Sequence, residues 1–515
     1  MARRSRVSGT KYAFLFIRPR AGGSRVFHRV NRGPIALAHR DRNPCRLKRG
    51  GTHSEMASRH AFAVSHDLRV LSRARHRADA ALSDFLADTH AQRAIVVSAP
   101  AGAGKTGFVV KAVRKARRPA LRLRVAVCTP TNEQAFGLVR RLAMSDPKET
   151  VTFVPASDVT LPVLIARLPN VRQSRAANAN AATTIVGTLA KLGDAFSRGD
   201  LGPVDALLID ESYQADSSWY YGVGNLASLH LLVGDLGQLN PFSPIVDAYH
   251  WRGLPEDPLQ AAVGLLLRNH PATPVYKLPV SRRLDPRGIK VAQLFYRDLQ
   301  FDAAVLPDVR RLQLLPAVAV HRQDREIDHL LDSASRDGWA HFELPDAAVL
   351  TADPGIIEFI GALVNRLALR RPRVRCEWQT TWQELPAQRV AIGVSHNDQK
   401  DLLRAHLDSM GYPDVVVETA NKLQGLEFNV VIAWHPLAGL PEPDGFHLDP
   451  GRLCVLLTRH RHACIVIGRA GDRKLLRAIP PTTPAYLGWD PDPVFDGWEL
   501  HEAIFSALDP HRIIA

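Results

Sequence analysis

The apolar positions of this chain fall into short continuous runs separated by longer amphipathic stretches. From Leu71 onward the two alternate. Ala94-Ile95-Val96-Val97, Val125-Ala126-Val127-Cys128-Thr129, Thr184-Ile185-Val186, Ala206-Leu207-Leu208-Ile209-Asp210 and His230-Leu231-Leu232-Val233-Gly234 predict strands, and Asn132 to Met144 predicts a helix. Strands apolar at successive residues are buried on both faces, as in a parallel sheet layered by helices. A second series follows: Ala348-Val349-Leu350, Val390-Ala391-Ile392-Gly393-Val394, Val415-Val416-Val417-Glu418, Val430-Val431-Ile432-Ala433 and Cys464-Ile465-Val466-Ile467, with a helix from Gly355 to Ala368. The expected fold class is α/β, with two parallel-sheet domains and helices on both faces. The expected boundaries are a basic tail over 1–58, a first domain over 59–272 with a short insertion near 144–182, a second over 273–475, and a C-terminal appendage over 476–515.

Composition changes this picture little. At 515 residues the chain has room for two to four domains. No apolar run approaches the roughly 20 residues that span a bilayer, so no membrane partner is expected. The formal charge of +15 is unevenly placed. Residues 1–55 hold 14 Lys/Arg against Asp41 and Glu55, a net of +12, which leaves +3 for the remainder. Net charge therefore gives no argument for nucleic acid in the globular part, although a local basic groove is compatible with it. The tail has three readings: a basic arm that holds nucleic acid, a transit-like peptide, or an artefact of the start site with Met56 as the true start. Its one apolar run, Tyr12 to Ile17, is too short for a signal-peptide core with a cleavage site. Cys45, Cys128, Cys376, Cys454 and Cys464 are widely spaced and form no C-x-x-C pair. That argues against a zinc or iron–sulfur module and fits a reducing, cytoplasmic setting.

The chemistry begins directly after the first strand. Ser98-Ala99-Pro100-Ala101-Gly102-Ala103-Gly104-Lys105-Thr106 links that strand to a helical pattern, the context a phosphate-binding loop requires. Backbone N–H groups at Ala99, Gly102 and Gly104 can cradle the phosphates of ATP, and Lys105 adds a point charge. Thr106 places a hydroxyl on Mg²⁺. Ala99 stands where the usual pattern has its first glycine. The strand ending in Ile209 delivers Asp210-Glu211-Ser212-Tyr213-Gln214: Asp210 as a Mg²⁺ ligand and Glu211 as the base that activates water. Gly234-Asp235-Leu236-Gly237-Gln238-Leu239 also ends a strand, with Gln238 as a sensor of the γ-phosphate.

With these segments in order, the chain resembles the superfamily 1 helicases, in the branch of Upf-like and RecD-like enzymes, over about residues 95–469. Asp210 to Gln214 resembles their DExxQ motif and Gly234 to Leu239 their GDxxQL motif. Thr129-Pro130-Thr131-Asn132 and Gly187-Thr188 resemble two loops that contact nucleic acid. Leu278 to Pro286 resembles the loop of the first arginine finger, which maps to Arg283. Val394 to Gln399 resembles a weaker motif. Thr419 to Phe428 resembles the QGxEF motif, and Leu456 to Arg461 the LTRxR motif, with Arg459 as second finger. The resemblance implies tandem RecA-like domains, an ATP hydrolase that uses Mg²⁺ at the interface between them, and a track for single-stranded DNA or RNA. The implied catalytic set is Glu211, Gln238, Arg283 and Arg459. Arg282, Gln424 and Glu427 join the nucleotide contacts, and Thr129, Pro130, Thr131, Asn132, Thr188 and Thr419 the nucleic-acid contacts. Relatives in this branch usually move 5′ to 3′.

Two departures bear on the base of the nucleotide. Arg75 falls where relatives carry a Gln that reads adenine, and Arg282 where they often carry a stacking aromatic. Two other functions stay open beside the translocase: a nucleic-acid-stimulated ATPase switch without unwinding, and a nucleic-acid-binding protein with a decayed NTPase. The intact Lys105, Asp210, Glu211, Gln238, Arg283 and Arg459 argue against decay. Trp219-Tyr220-Tyr221 reads as helix-packing aromatics or a stacking patch, and Arg370 to Arg375 as a solvated basic face or a nucleic-acid contact.

Overall fold

The structure is a computed structural model. It describes residues 66–239, 260–349, 352–478 and 493–515, together with 241, 251, 257 and 480. The expected tail over 1–58, including Met56, lies outside the described residues.

The first sheet has eight strands: β1 (Ala94–Ser98), β2 (Val125–Thr129), β3 (Val151–Phe153), β4 (Val171–Gln173), β5 (Thr184–Thr188), β6 (Val204–Asp210), β7 (Ala227–Gly234) and β8 (Val275–Lys277). Their spatial order is β4-β3-β5-β2-β6-β7-β1-β8, and every pairing is parallel. The two faces alternate along each strand. Ile95 and Val97 enter one core with helices His66–Leu86, Lys105–Ala116 and Asn132–Ser145. Val96, Ala126 and Cys128 enter the other, with Leu189–Ser197, Ser217–Gly224 and Ala262–Asn269. Such double coverage turns these strands into unbroken apolar runs. The expected insertion near 144–182 supplies β3 and β4 at one edge, and β8 carries the sheet beyond residue 272.

The second sheet is again all parallel. Its strands are β9 (Trp339–Leu344), β10 (Val390–Val394), β11 (Val416–Thr419), β12 (Phe428–Trp434), β13 (His460–Arg469) and β14 (Arg512–Ile514), in the order β11-β10-β12-β13-β9-β14. The expected strand at Ala348 to Leu350 is absent: residues 345–349 are irregular, Leu350 lies outside the described residues, and the strand sits at Trp339–Leu344 instead. His341 and Glu343 break the apolar run there, yet both are buried. Three helices of this half start in the same way. Asp285, Asp353 and Asp449 each cap a helix whose first residue is proline, with the carboxylate accepting from backbone N–H groups of the first turn. Residues 493–515 join the second domain's own layers. Helix Pro493–Leu508 buries Leu500, Ile504 and Leu508 in its core, and β14 pairs with β9.

Candidate functional site

The phosphate loop forms where β1 ends. Ser98 is in register with Gly234 of β7, so the two following loops emerge side by side. Gly102 and Gly104 have φ of +77° and +87°, a region that residues with a Cβ avoid. Gly104 is the N-cap of helix Lys105–Ala116, and no side chain caps that helix. Its first N–H groups thus point into the loop, the arrangement that suits a phosphate. Lys105 is buried, with Nζ 2.8 Å from Asp235 Oδ2. Gln238 donates from Nε2 to the same oxygen, while its own Oε1 is buried without a hydrogen-bond partner.

Asp210 and Glu211 follow β6. The Thr106 hydroxyl bonds Asp210, and the Glu211 N–H donates to Asp210 Oδ1 at 3.2 Å. Burial, followed by the neighbouring Glu211 carboxylate, pushes the Asp210 carboxyl well above the usual range. Glu211 itself has φ +58°, a left-handed conformation that non-glycine residues rarely hold without a purpose. Two buried carboxylates beside a hydroxyl, with the nearest lysine already engaged by Asp235, have the oxygen-donor chemistry that suits Mg²⁺.

Arg283 and Arg459 close the site from the other half. Both are buried. Arg283 Nη1 donates to the Thr458 carbonyl at 3.2 Å, and Arg459 Nη2 donates to the Thr458 hydroxyl at 3.1 Å. Arg459 Nε and Nη1 and Arg283 Nε have no hydrogen-bond partner. Burial, and then the nearby Arg283, lower Arg459 to about 10. Two like charges brought together in a buried site favour an anion beside them; Glu427 serves Arg283, while two donor nitrogens of Arg459 stay idle. The segment of Arg283 touches the phosphate loop: Arg282 N–H donates to the Gly102 carbonyl at 2.9 Å, and a Cβ on Gly102 would collide with Arg283. Helix Pro450–Leu457, which precedes Arg459, rests on the loop after β7; a Cβ on Gly451 would lie 2.6–2.7 Å from the backbone of Gln238 and Leu239.

Glu427 lies 3.5 Å from Arg283 Nε and 3.0 Å from Arg461 Nη1. Burial would raise its carboxyl, but Arg283, Arg461 and Arg389 together hold it at about 2. Gln424 is buried with Oε1 unpartnered. The guanidinium of Arg282 is lowered by partial desolvation and by Arg75, so these two arginines stand near each other. Ala99 is fully buried and donates its N–H to the Gly234 carbonyl.

The nucleic-acid candidates gather on a second edge. Thr129 and Thr188 are register partners at the ends of β2 and β5. Thr129 donates to the Thr131 carbonyl; Pro130 is buried; Thr131 caps helix Asn132–Ser145 in a box with Gln134. Thr419 ends β11 beside Val394 of β10. Lys422 Nζ lies 3.5 Å from Glu133 Oε1, so the loops at Asn132 and Thr419, from different sheets, stand together.

Sequence reasoning missed three positions. Asp235 was read only as part of a motif, yet it anchors both Lys105 and Gln238. Its signal was a carboxylate following a strand in register with β1. Tyr296 accepts the Ala101 N–H at 3.1 Å. Fully buried Arg310 donates to the carbonyls of Arg282 and Arg283 and pairs with Glu377 at 2.6 Å. Neither of these carried a local signal. In the helix after the DExxQ loop, Tyr220 is buried and bonded to His230, whereas Tyr221 is exposed. Arg370 pairs with Asp328 and Asp332.

The comparisons bear on this arrangement. Residues 357–471 match the model of a family described as AAA domain. The chain resembles the superfamily 1 helicases. The match covers β10 to β13 and both loops that carry Glu427 and Arg459. Among solved structures, a PRRSV helicase is 16% identical, covering 78% of this chain and 56% of its own, with TM-score 0.39. An arterivirus nonstructural protein 10 (helicase) in complex with DNA is 16% identical, covering 76% and 63%, with TM-score 0.37. S. cerevisiae Dbp5 bound to Nup159, Gle1, IP6 and ADP is 10% identical, covering 90% and 96%, with TM-score 0.38. The chain thus spans less than two thirds of the length of either viral helicase. No curated protein matches it.

Proposed function

We propose that this chain is an NTP-driven translocase on single-stranded nucleic acid, hydrolysing ATP between its two sheets. The observation that carries the reading is the pair of buried guanidiniums, Arg283 against the phosphate loop and Arg459 close to Arg283, with Nε and Nη1 of Arg459 making no hydrogen bond. Arginine suits the γ-phosphate because its fork is rigid and always charged, and such a finger contributes on the order of 10³–10⁵ in rate. Glu211 takes the proton of the attacking water, and Gln238 senses the terminal phosphate. Thr106 and Asp210 would hold Mg²⁺, which when bound neutralises phosphate charge. The fingers sit on the second domain and the phosphate loop on the first, so nucleotide state sets how tightly the halves close. The edge carrying Thr129, Thr131, Asn132, Thr188 and Thr419 spans both halves and becomes the track. No helix among the described residues is long and apolar enough to cross a membrane.

Steady-state ATPase assays with and without DNA and RNA oligomers test this. Stimulation by single strands is expected; an unstimulated enzyme, or none, refutes the translocase. A second reading, a clamp or remodeller without strand separation, is favoured by one feature. The sizeable insertion of the first domain is spent on β3 and β4 at the sheet edge. A forked-duplex assay separates the two.

A further inference from the structure

Beyond the expected track residues, the end of the second sheet holds a cavity of ≈ 260 Å³. It lies below the roughly 300–1,000 Å³ of sites for drug-sized ligands, so it takes a single small ring system. One wall is aromatic. Phe446 is 41% exposed although the Arg452 guanidinium covers its ring at 3.6 Å. The His396 ring lies 4.9 Å from it, tilted by 31°. Arg452 is itself buried and locked by a hydrogen bond from Nε to the Phe446 carbonyl. His396 is fixed in turn. Its Nε2 meets His447 Nε2 at 2.9 Å, and His447 Nδ1 meets Asp444 Oδ1 at 2.6 Å. His447 donates its Nδ1–H to the Asp444 carboxylate, so its Nε2 accepts and His396 Nε2–H donates.

The rest of the lining is polar. Ser395 is buried, and its hydroxyl has no partner. Asn397 and Asn421 bring amides that both donate and accept. Thr419 forms part of the lining as well, so the cavity is continuous with the track, and the Lys422–Glu133 bridge stands two residues away from Asn421's neighbour Ala420. An aromatic wall stiffened by a guanidinium, facing hydrogen-bond donors and acceptors, is how proteins hold an unstacked base.

We propose that this cavity receives one nucleobase of the bound strand, stacked on Phe446 and His396, with its edge against Ser395, Asn397 and Asn421. This rests on the translocase reading and adds to it: the track grips one base rather than backbone alone, so the protein distinguishes homopolymers.

Fluorescence anisotropy of the full chain with labelled 12-mers of each base, as DNA and RNA, tests this. Phe446→Ala should weaken binding about 5- to 150-fold, the worth of one stacked base, and Phe446→Trp should restore it. An abasic position moved along the best oligomer should cost a similar factor at one place only. There, Phe446→Ala should add nothing further. Asn421→Ala, on an exposed side chain, should flatten the preference among bases. Unfolding midpoints show that each variant is folded. Wild type that binds while Phe446→Ala binds equally, or abasic and Phe446→Ala losses that multiply, overturns the base pocket alone. Wild type that binds no oligomer overturns both the pocket and the translocase.

Discussion

At the residue scale, each proposed role makes a different kinetic demand. Lys105→Ala removes the buried ammonium beside the phosphate loop and should abolish tight ATP binding in equilibrium titrations. Glu211→Gln leaves Asp210 and Thr106 in place, so binding should persist while kcat falls by about 10²–10⁴. Wild-type turnover in that variant would move the base elsewhere. Nucleotide choice follows from Arg75 and Arg282, which stand near each other. Neither can accept the donor on adenine's amino group, and a guanidinium stacks on any base. GTP and ATP should therefore be hydrolysed within roughly tenfold of each other in kcat/KM, about 1.4 kcal/mol. A hundredfold preference for ATP would show that another group reads the base. Most of these residues were legible because each sits directly after a strand, in a motif with its own composition. Arg310 was not. It acts on the carbonyls of Arg283 and Arg282 across 27 and 28 residues, and nothing local marks an arginine as a backbone clamp.

At the element scale, burial decided what could be read. β2 and β10 are apolar throughout and were found to within a residue. β9 was misplaced because Trp339-Ala340-His341-Phe342-Glu343-Leu344 carries two polar side chains into a buried strand. β3, β4, β8 and β14 are three-residue strands at or next to a sheet edge, too short for any periodicity to show. Helix Pro493–Leu508 was taken for part of an appendage because Pro-rich sequence precedes it, yet Ile504 is fully buried in the second domain. Ile504→Ala should cost about 2–5 kcal/mol by denaturant unfolding. A cost near zero would mean that this helix is dispensable.

At the scale of the whole molecule, histidines set an acid limit. Burial lowers His460 to about 4 and His501 to about 3, and carries His435 well below 6.5. A depressed folded value means that the unfolded chain binds protons first. Stability is thus full above about pH 6.5, the ordinary histidine value, and falls as pH drops toward 4. Denaturant midpoints from pH 7.5 to 4.5 should decline, and a flat profile would contradict these burials. The charge of residues 1–55 adds a second expectation. A protein starting at Met56 should retain stimulated ATPase activity while showing a shallower dependence of binding on salt. An unchanged salt slope would exclude the tail from contact with the strand.

Asp235 has one more consequence. Its carboxylate binds both Lys105 and Gln238. On the proposed reading, then, the loop never waits as a vacant cation. Nucleotide enters by exchange with a tethered rival, and the same rival helps expel the product. Asp235→Asn weakens that rival while keeping its shape. ADP should then dissociate more slowly in stopped-flow chase experiments, and turnover should fall even as affinity rises.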